Sequence, residues 1–328
     1  MLANHRQLGA HGPSVFPIGL GCMGMSGMYG PADETESIAT IHSALDSGVN
    51  LLDTGDFYGM GHNELLLARA LKDRRHQALL SVKFGALRDP NGAFLGFDGR
   101  PQAVKNFVCY SLQRLNTDYI DIYRPARVDP AVPIEDTVGA IADLVRSGHV
   151  RYIGLSEAGA ATIRRANTAH PIVDLQIEYS LASRSIETEI LPTTRSLGIA
   201  ITAYGVLSRG LLSGSKPAAK ADIRSHFPRF SAANEAQNAK AVAALASLAA
   251  QRNATPAQLA IAWALAKGSD IVPVLGARTR AQLHGALAAL DLELTPEEIT
   301  LLEQTAGPSQ VAGARYNPEA MAALDSER

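Results

Sequence analysis

A tyrosine, a lysine and an aspartate held together can move a proton near neutral pH, and this 328-residue sequence places all three behind apolar runs. Leu51-Leu52-Asp53-Thr54-Gly55-Asp56-Phe57-Tyr58-Gly59 ends one such run with an acid and sets a tyrosine five residues on. Ser81-Val82-Lys83-Phe84-Gly85 ends another with a lysine, at a depth where an unpaired ammonium is costly and calls for a carboxylate. Asp53 can supply it. A cation beside the Tyr58 hydroxyl favours the phenolate and lowers the phenol's pKa, which makes the tyrosine a usable proton donor and acceptor. Spacing alone equally allows a structural ion pair beneath a surface tyrosine.

Two further stretches could hold phosphate. Gly276-Ala277-Arg278-Thr279-Arg280 leads into a helical pattern, so amides at a helix N-terminus and a guanidinium converge on one spot. The alternative is two solvated arginines at a helix start. Gly19-Leu20-Gly21-Cys22-Met23-Gly24 has the GxGxxG spacing of a dinucleotide fingerprint, but that motif needs its third glycine to open a helix. Ser26, Gly27, Gly30 and Pro31 intervene before the first capping residue, Asp33, so the stretch reads as a loop above a strand. Metal chemistry is not indicated: the nine histidines form no HxH or HxxxH pair, and Cys22 and Cys109 form no CxxC.

The elements that must position these residues are legible as eight apolar, β-branched runs: Val15–Gly19, Val49–Leu52, Leu79–Lys83, Tyr119–Tyr123, Tyr152–Leu155, Ile172–Gln176, Ile199–Ala203 and Ile271–Leu275. They do not alternate, as befits strands buried on both faces of a parallel sheet. Helical signals lie between them. Asp33 caps a segment stopped by Gly48, and Pro101 opens one reaching Leu115. Others span Ile134–Arg146, Ile186–Ser196, Thr255–Lys267 and Thr279–Leu290, with a further Ala-rich helix around Ala241–Ala250. The pattern predicts one (β/α)₈ TIM barrel over residues 1–328 rather than a doubly wound sheet, with a long loop after strand seven (Ser213–Asn234) and a C-terminal tail from Gly307.

Composition narrows the function classes. With 46% hydrophobic and 19% charged residues the chain can bury a large core, and 30 Lys+Arg against 32 Asp+Glu leave no general basic field for nucleic acid or an anionic membrane. No stretch approaches the roughly 18 apolar residues of a membrane span, and Met1–Ala10 has no apolar signal core. With only two cysteines, the sequence reads as that of a cytoplasmic protein.

Taken together, Gly19–Gly24, Asp53–Gly59 with Asn63-Glu64, Ser81–Gly85, Asp121–Pro130, Gly154–Glu157, Gln176–Ser180, Ala203–Gly214 and Pro273–Leu283 resemble the aldo-keto reductases. Within that family the likeness is to the bacterial and fungal branch of general aldehyde, ketone and pyridoxal reductases. The resemblance implies a (β/α)₈ barrel that binds NADPH in extended form and reduces small-molecule aldehydes or ketones, without a metal. It makes Tyr58 the general acid, flanked by Lys83 and Asp53. The family's fourth catalytic residue is a histidine at the end of strand four; here Asp121-Ile122-Tyr123-Arg124-Pro125-Ala126-Arg127-Val128-Asp129-Pro130 sets Ala126 at that position. By strand alternation Arg124 points the same way as Ala126 and could supply polarity, unless it is held in a buried salt bridge, while Arg127 is expected to face the helices.

For the cofactor, the resemblance assigns Ser156 and Gln176 to the nicotinamide carboxamide, with Glu157 where many relatives have asparagine. Tyr204 would stack on the nicotinamide ring. The loop Gly205, Val206, Leu207, Ser208, Arg209 and Gly210 would cover the pyrophosphate. Met23, Asp53 and Gly276 would lie along the cofactor, Gln282 near the adenine, and Arg278 on the 2′-phosphate, which favours NADPH over NADH. Rival readings are a pyridoxal reductase or alcohol dehydrogenase, an NADPH-binding regulatory or redox-sensing subunit with little turnover, and a hydrolase using the carboxylates of Asp53 and Glu157.

Overall fold

The computed structural model describes residues 5–217 and 222–328, so part of the expected loop after strand seven and the first four residues of the N-terminal segment lie outside the described residues. Eight parallel strands close into a barrel: β1 (Gly19–Gly21), β2 (Leu51–Gly55), β3 (Leu79–Phe84), β4 (Ile120–Pro125), β5 (Val150–Ser156), β6 (Ile172–Glu178), β7 (Ala200–Tyr204) and β8 (Ile271–Gly276). Each pairs with its neighbours in chain order, and β8 returns to β1 with Val274 opposite Gly19. The predicted (β/α)₈ architecture is therefore present.

The first strand departs from expectation. Pro17 has no N–H to give a ladder, so the run Val15–Gly19 cannot continue as one strand. Ser14–Val15 instead pairs antiparallel with Arg6–Gln7, and the barrel strand starts only at Gly19. Leu8 and Val15 of this hairpin pack with Leu51, Ile122, Val173 and Val272 and fill the N-terminal end of the barrel. Arg6 donates to the carbonyls of Gly268 and Leu265, and also reaches that of Ile271, at the start of β8.

Around the barrel run α1 (Glu34–Asp46), α2 (His62–Ala70), α3 (Pro101–Leu115), α4 (Ile134–Arg146), α5 (Ala160–Ala169), α6 (Ile190–Ser196), α7 (Ala232–Gln251), α8 (Pro256–Ala266), α9 (Arg280–Leu287) and α10 (Pro296–Ala306), with a short α11 (Pro318–Ala322) in the tail. Their ends follow local chemistry: the Asp33 side chain accepts from the Glu36 amide at 2.7 Å, and Thr255 and Gln258 form a capping box before α8. Two expected helices are shorter than read. Ser185–Glu187 and Ala288–Asp291 are separate 3₁₀ turns beside α6 and α9. The loop after β7 carries 3₁₀ turns at Ile223–His226 and Pro228–Phe230 and passes into α7 already at Ala232. Among the described residues no helix is long and apolar enough to cross a membrane.

Above the apolar floor the barrel interior turns polar. Arg124 on β4 is fully buried and ion-paired with Asp174 on β6 at 2.7 Å, and donates to Ser81 on β3 at 2.9 Å. Gly154 on β5 makes room for this pair, since a Cβ there would sit 2.5 Å from Asp174 Oδ1.

Candidate active site

At the C-terminal end of the barrel, β2 and β3 run in register with Gly55 opposite Lys83, which sets Asp53 and Lys83 side by side. Lys83 Nζ donates to Asp53 Oδ1 at 2.5 Å, and both side chains are buried. The other Asp53 oxygen accepts from Ser81 Oγ at 2.9 Å and from Gln176 Nε2 at 2.7 Å. Three donors from two strands besides its own thus fix the carboxylate. Gln176, assigned by resemblance to the cofactor, here has its amide turned to Asp53, a buried carboxyl group within hydrogen-bond reach.

Tyr58 follows β2 on a loop whose next three residues, Gly59, Met60 and Gly61, all have positive φ. Two glycines make that turn affordable and Met60 accepts it at some strain. The turn holds the buried Tyr58 ring with Lys83 Nζ 5.2 Å from its centroid. Asn63 ties the loop down, accepting from Thr54 Oγ1 at 2.6 Å and donating to the Cys22 carbonyl and Ser26 Oγ, both at 2.8 Å. The expected lowering of the Tyr58 pKa is not met. Burial pushes it well above the usual phenol range, with Asp53 adding to the rise, while Arg127 pulls the other way. Lys83 is itself shifted down, first by burial and against the pull of Asp53. The tyrosine is therefore held as the neutral phenol, a form that can give a proton.

The end of β4 corrects a second expectation. Arg124 is held below the mouth by Asp174 and Ser81, whereas Arg127, expected among the helices, turns into the mouth. β4 ends at Pro125, so its alternation no longer governs position 127. Arg127 Nη1 donates to the Ala126 carbonyl at 2.6 Å and to Ser156 Oγ at 3.4 Å, and Nη2 to the Tyr316 hydroxyl at 3.2 Å.

Glu157, just past β5, sits at φ +51° with its carboxylate fully enclosed. Arg315 from the tail grips it bidentately, at 2.8 Å to Oε1 and 2.6 Å to Oε2; the Tyr204 hydroxyl donates to Oε1 at 2.6 Å and Ser326 Oγ to Oε2 at 2.7 Å. Burial alone would raise its pKa, but Arg315 above all brings it down to about 2. Both carboxylates that a hydrolase would need, Asp53 and Glu157, are thus committed to fixed partners. The C-terminal tail reaches the site: the Tyr316 hydroxyl lies 3.0 Å from that of Tyr204, at the end of β7. Arg315 and Tyr316 were missed by sequence reasoning. The signal available was chemical rather than periodic, a buried acid at 157 needing a cation and an Arg-Tyr pair in the tail.

After Tyr204 the chain turns at Gly205 (φ +65°) and again through Ser208, Arg209 and Gly210 (φ +47°, +58° and +92°), which brings Val206, Leu207 and the following residues into a tight concave loop. The Arg209 guanidinium lies between the rings of Phe227 (4.5 Å) and Tyr316 (4.7 Å), 3.7 Å from Glu178. Arg229 fastens the loop through Ser208 Oγ at 3.1 Å. Across the mouth, Met23 lies in a 3₁₀ turn after β1, and Gly24 of that turn lies against the Arg278 stem.

The family model for the aldo/keto reductases matches residues 17–306. The chain belongs to the aldo/keto reductase family. It is 40% identical over 316 residues to "Probable aldo-keto reductase 1" of Glycine max, covering 94% of this chain and 91% of that one. Among solved structures it is similar to the glycerol dehydrogenase AKR11B4 of Gluconobacter oxydans (TM-score 0.84, 28% identity, 93% of this chain and 95% of that one). It is likewise similar to the holo form of the aldo-keto reductase AKR11C1 of Bacillus halodurans (TM-score 0.78, 28% identity, 96% and 99%). As a member of the family it is an oxidoreductase of the kind that reduces small-molecule carbonyls with a nicotinamide cofactor.

The residues of this aldo/keto reductase fit such a cofactor. Arg209 Nη2 is buried and makes no hydrogen bond, facing Glu178 Oε2 only at 3.7 Å, beside a loop of left-handed residues, and a guanidinium so loosely paired can take an anion. The Arg278 guanidinium is held by two neutral acceptors, the carbonyls of Tyr29 at 3.3 Å and Pro31 at 3.1 Å. The start of α9 differs from expectation: Arg278 N donates to Gln282 Oε1, Arg280 N to Glu36 Oε1, and Gln282 N to Thr279 Oγ1. Those three amides are already capped and Arg280 is ion-paired with Glu36, which leaves the Arg278 side chain, bonded to neutral carbonyls, as the cation at this corner that can meet a phosphate. Gly276, at the end of β8, is exposed and leaves the approach open.

Proposed function

We propose that this protein is an NADPH-dependent reductase of aldehydes or ketones in which Tyr58 is the proton donor. The observation that carries the reading is the buried Lys83–Asp53 pair at 2.5 Å packed against the Tyr58 ring at the barrel mouth. Bound NADPH supplies the hydride for the carbonyl carbon. Tyr58 gives its hydroxyl proton to the carbonyl oxygen, and the ammonium of Lys83, fixed by Asp53, steadies the phenolate that remains. In this reading Ser156 and Tyr204 hold the nicotinamide end, the loop Gly205–Gly210 with its Arg209 holds the pyrophosphate, and Arg278 meets the 2′-phosphate that selects NADPH. With Ala126 where relatives carry histidine, proton delivery rests on Tyr58. The direct test is NADPH absorbance with purified protein and an activated aromatic aldehyde. Aldehyde-dependent loss of absorbance is the expected result; NADPH binding without turnover across a panel of aldehydes, ketones and pyridoxal would overturn it in favour of a cofactor-sensing role.

A further inference from the structure

We propose that Arg127 is an anion anchor for the substrate, so that the favoured carbonyls carry a carboxylate near the reacting C=O; this rests on the reading of Tyr58 as the proton donor in the same cleft. Of the five N–H groups of its guanidinium, those engaged donate to the Ala126 carbonyl, Ser156 Oγ and the Tyr316 hydroxyl. All of these acceptors are neutral. Other largely buried arginines have an acid at ion-pair distance: Arg124 has Asp174, Arg229 has Glu178 and Arg315 has Glu157. Arg127 has no carboxylate at that distance among the described residues, and its remaining N–H groups are unengaged.

A guanidinium whose hydrogen-bond partners are all neutral, with the Glu157 carboxylate acting on it only from beyond ion-pair distance, gains from an anion in direct contact, and a carboxylate meets its fork bidentately. Its location fits a substrate group. It bonds Ser156 at the end of β5, follows Ala126 just beyond the end of β4, and is the leading cation opposing the rise in the Tyr58 pKa. Ala126 contributes only a methyl at the strand end, so the first long polar side chain there belongs to Arg127. Tyr316 steadies the guanidinium from the other side.

The experiment compares 4-formylbenzoate with its neutral methyl ester as substrates of the NADPH-loaded enzyme, in the wild type, Arg127→Gln and Arg127→Lys. The wild type is expected to favour the carboxylate by at least about tenfold in kcat/KM, mainly through KM, as a charge-assisted contact allows. In Arg127→Gln the acid-to-ester ratio should fall to near one, and Arg127→Lys should recover part of it. Calorimetric titration with benzoate against benzamide gives a reading independent of turnover, with benzoate binding lost in Arg127→Gln; melting curves confirm that the variants fold. A wild-type ratio near one, or a ratio unchanged in Arg127→Gln, overturns the anchor while leaving the reductase reading intact. A loss of NADPH affinity in Arg127→Gln with the ratio unchanged assigns the guanidinium to the cofactor instead. If neither aldehyde is reduced but benzoate binding still depends on Arg127, the anchor stands and the reductase reading fails.

Discussion

Tyr58 sits between opposing influences: burial and the Asp53 carboxylate keep its proton on, and Arg127 favours its loss. A phenol so placed can donate once a carbonyl oxygen gathers negative charge. Tyr58→Phe is accordingly expected to lower turnover by about 10²-fold or more, the usual range for a lost general acid, with little change in NADPH affinity. Steady-state kinetics with a fluorescence titration of NADPH measures both, and wild-type turnover would end the assignment. Arg278→Ala should weaken NADPH far more than NADH, by about 1.5–3 kcal/mol, because only NADPH offers the 2′-phosphate. Equal losses for the two cofactors would make Arg278 structural. The Lys83–Asp53 pair was legible in the sequence because a lysine buried behind an apolar run demands a carboxylate, whereas spacing left the role of Tyr58 open and only the family resemblance assigned it. Arg127 was misread because strand alternation was carried past Pro125, where the strand stops.

The loop from β2 to α2 shows why some elements were easier to read than others. α1 announces itself with Asp33, whose side chain caps the Glu36 amide, and with Gly48 beyond its end. α2 and α5 begin after glycines with no side-chain cap, so neither has a local start signal. For α5 the partner of the Gly159 amide is Asp325 Oδ2, at 2.7 Å and 166 residues away. In the β2–α2 loop, Asp56 has one buried oxygen without a partner, beside the similarly unpartnered Oε1 of Glu64 and hydroxyl of Tyr123. Burial, then the nearby Glu64 charge, push the Asp56 carboxyl up to about 7. The folded form therefore keeps a proton that the unfolded chain has already lost above its ordinary carboxylate value. Stability conferred by Asp56 is complete at pH below about 4 and is lost as pH rises through about 7, by at most about 4 kcal/mol. Asp56→Asn removes that slope. Denaturant unfolding of both proteins at pH 5, 6, 7 and 8 should show the variant gaining on the wild type as pH rises; parallel curves would refute the assignment.

At the scale of the whole molecule, the two ends of the chain close the two ends of the barrel. The N-terminal hairpin fills the floor with Leu8 and Val15, and the tail straps the mouth through Arg315, Tyr316 and Ser326. The barrel itself was legible because eight apolar runs separated by helical patterns allow few other architectures. The strap was not, since its residues are polar and aperiodic and Arg315 meets Glu157 across 158 positions of sequence. That pair is nearly solvent-free, so removing one partner leaves the other charge stranded. Arg315→Met should cost about 3–5 kcal/mol, the usual penalty for breaking a buried pair from one side. Replacing the acid as well, in Glu157→Gln/Arg315→Met, removes the stranded charge and should recover a large part of that loss, because the two positions are directly coupled. Equilibrium unfolding of the two single variants and the double variant decides it. If the losses of the single variants simply add in the double, the tail is held by its other contacts, and the ion pair is not what keeps it over Tyr204.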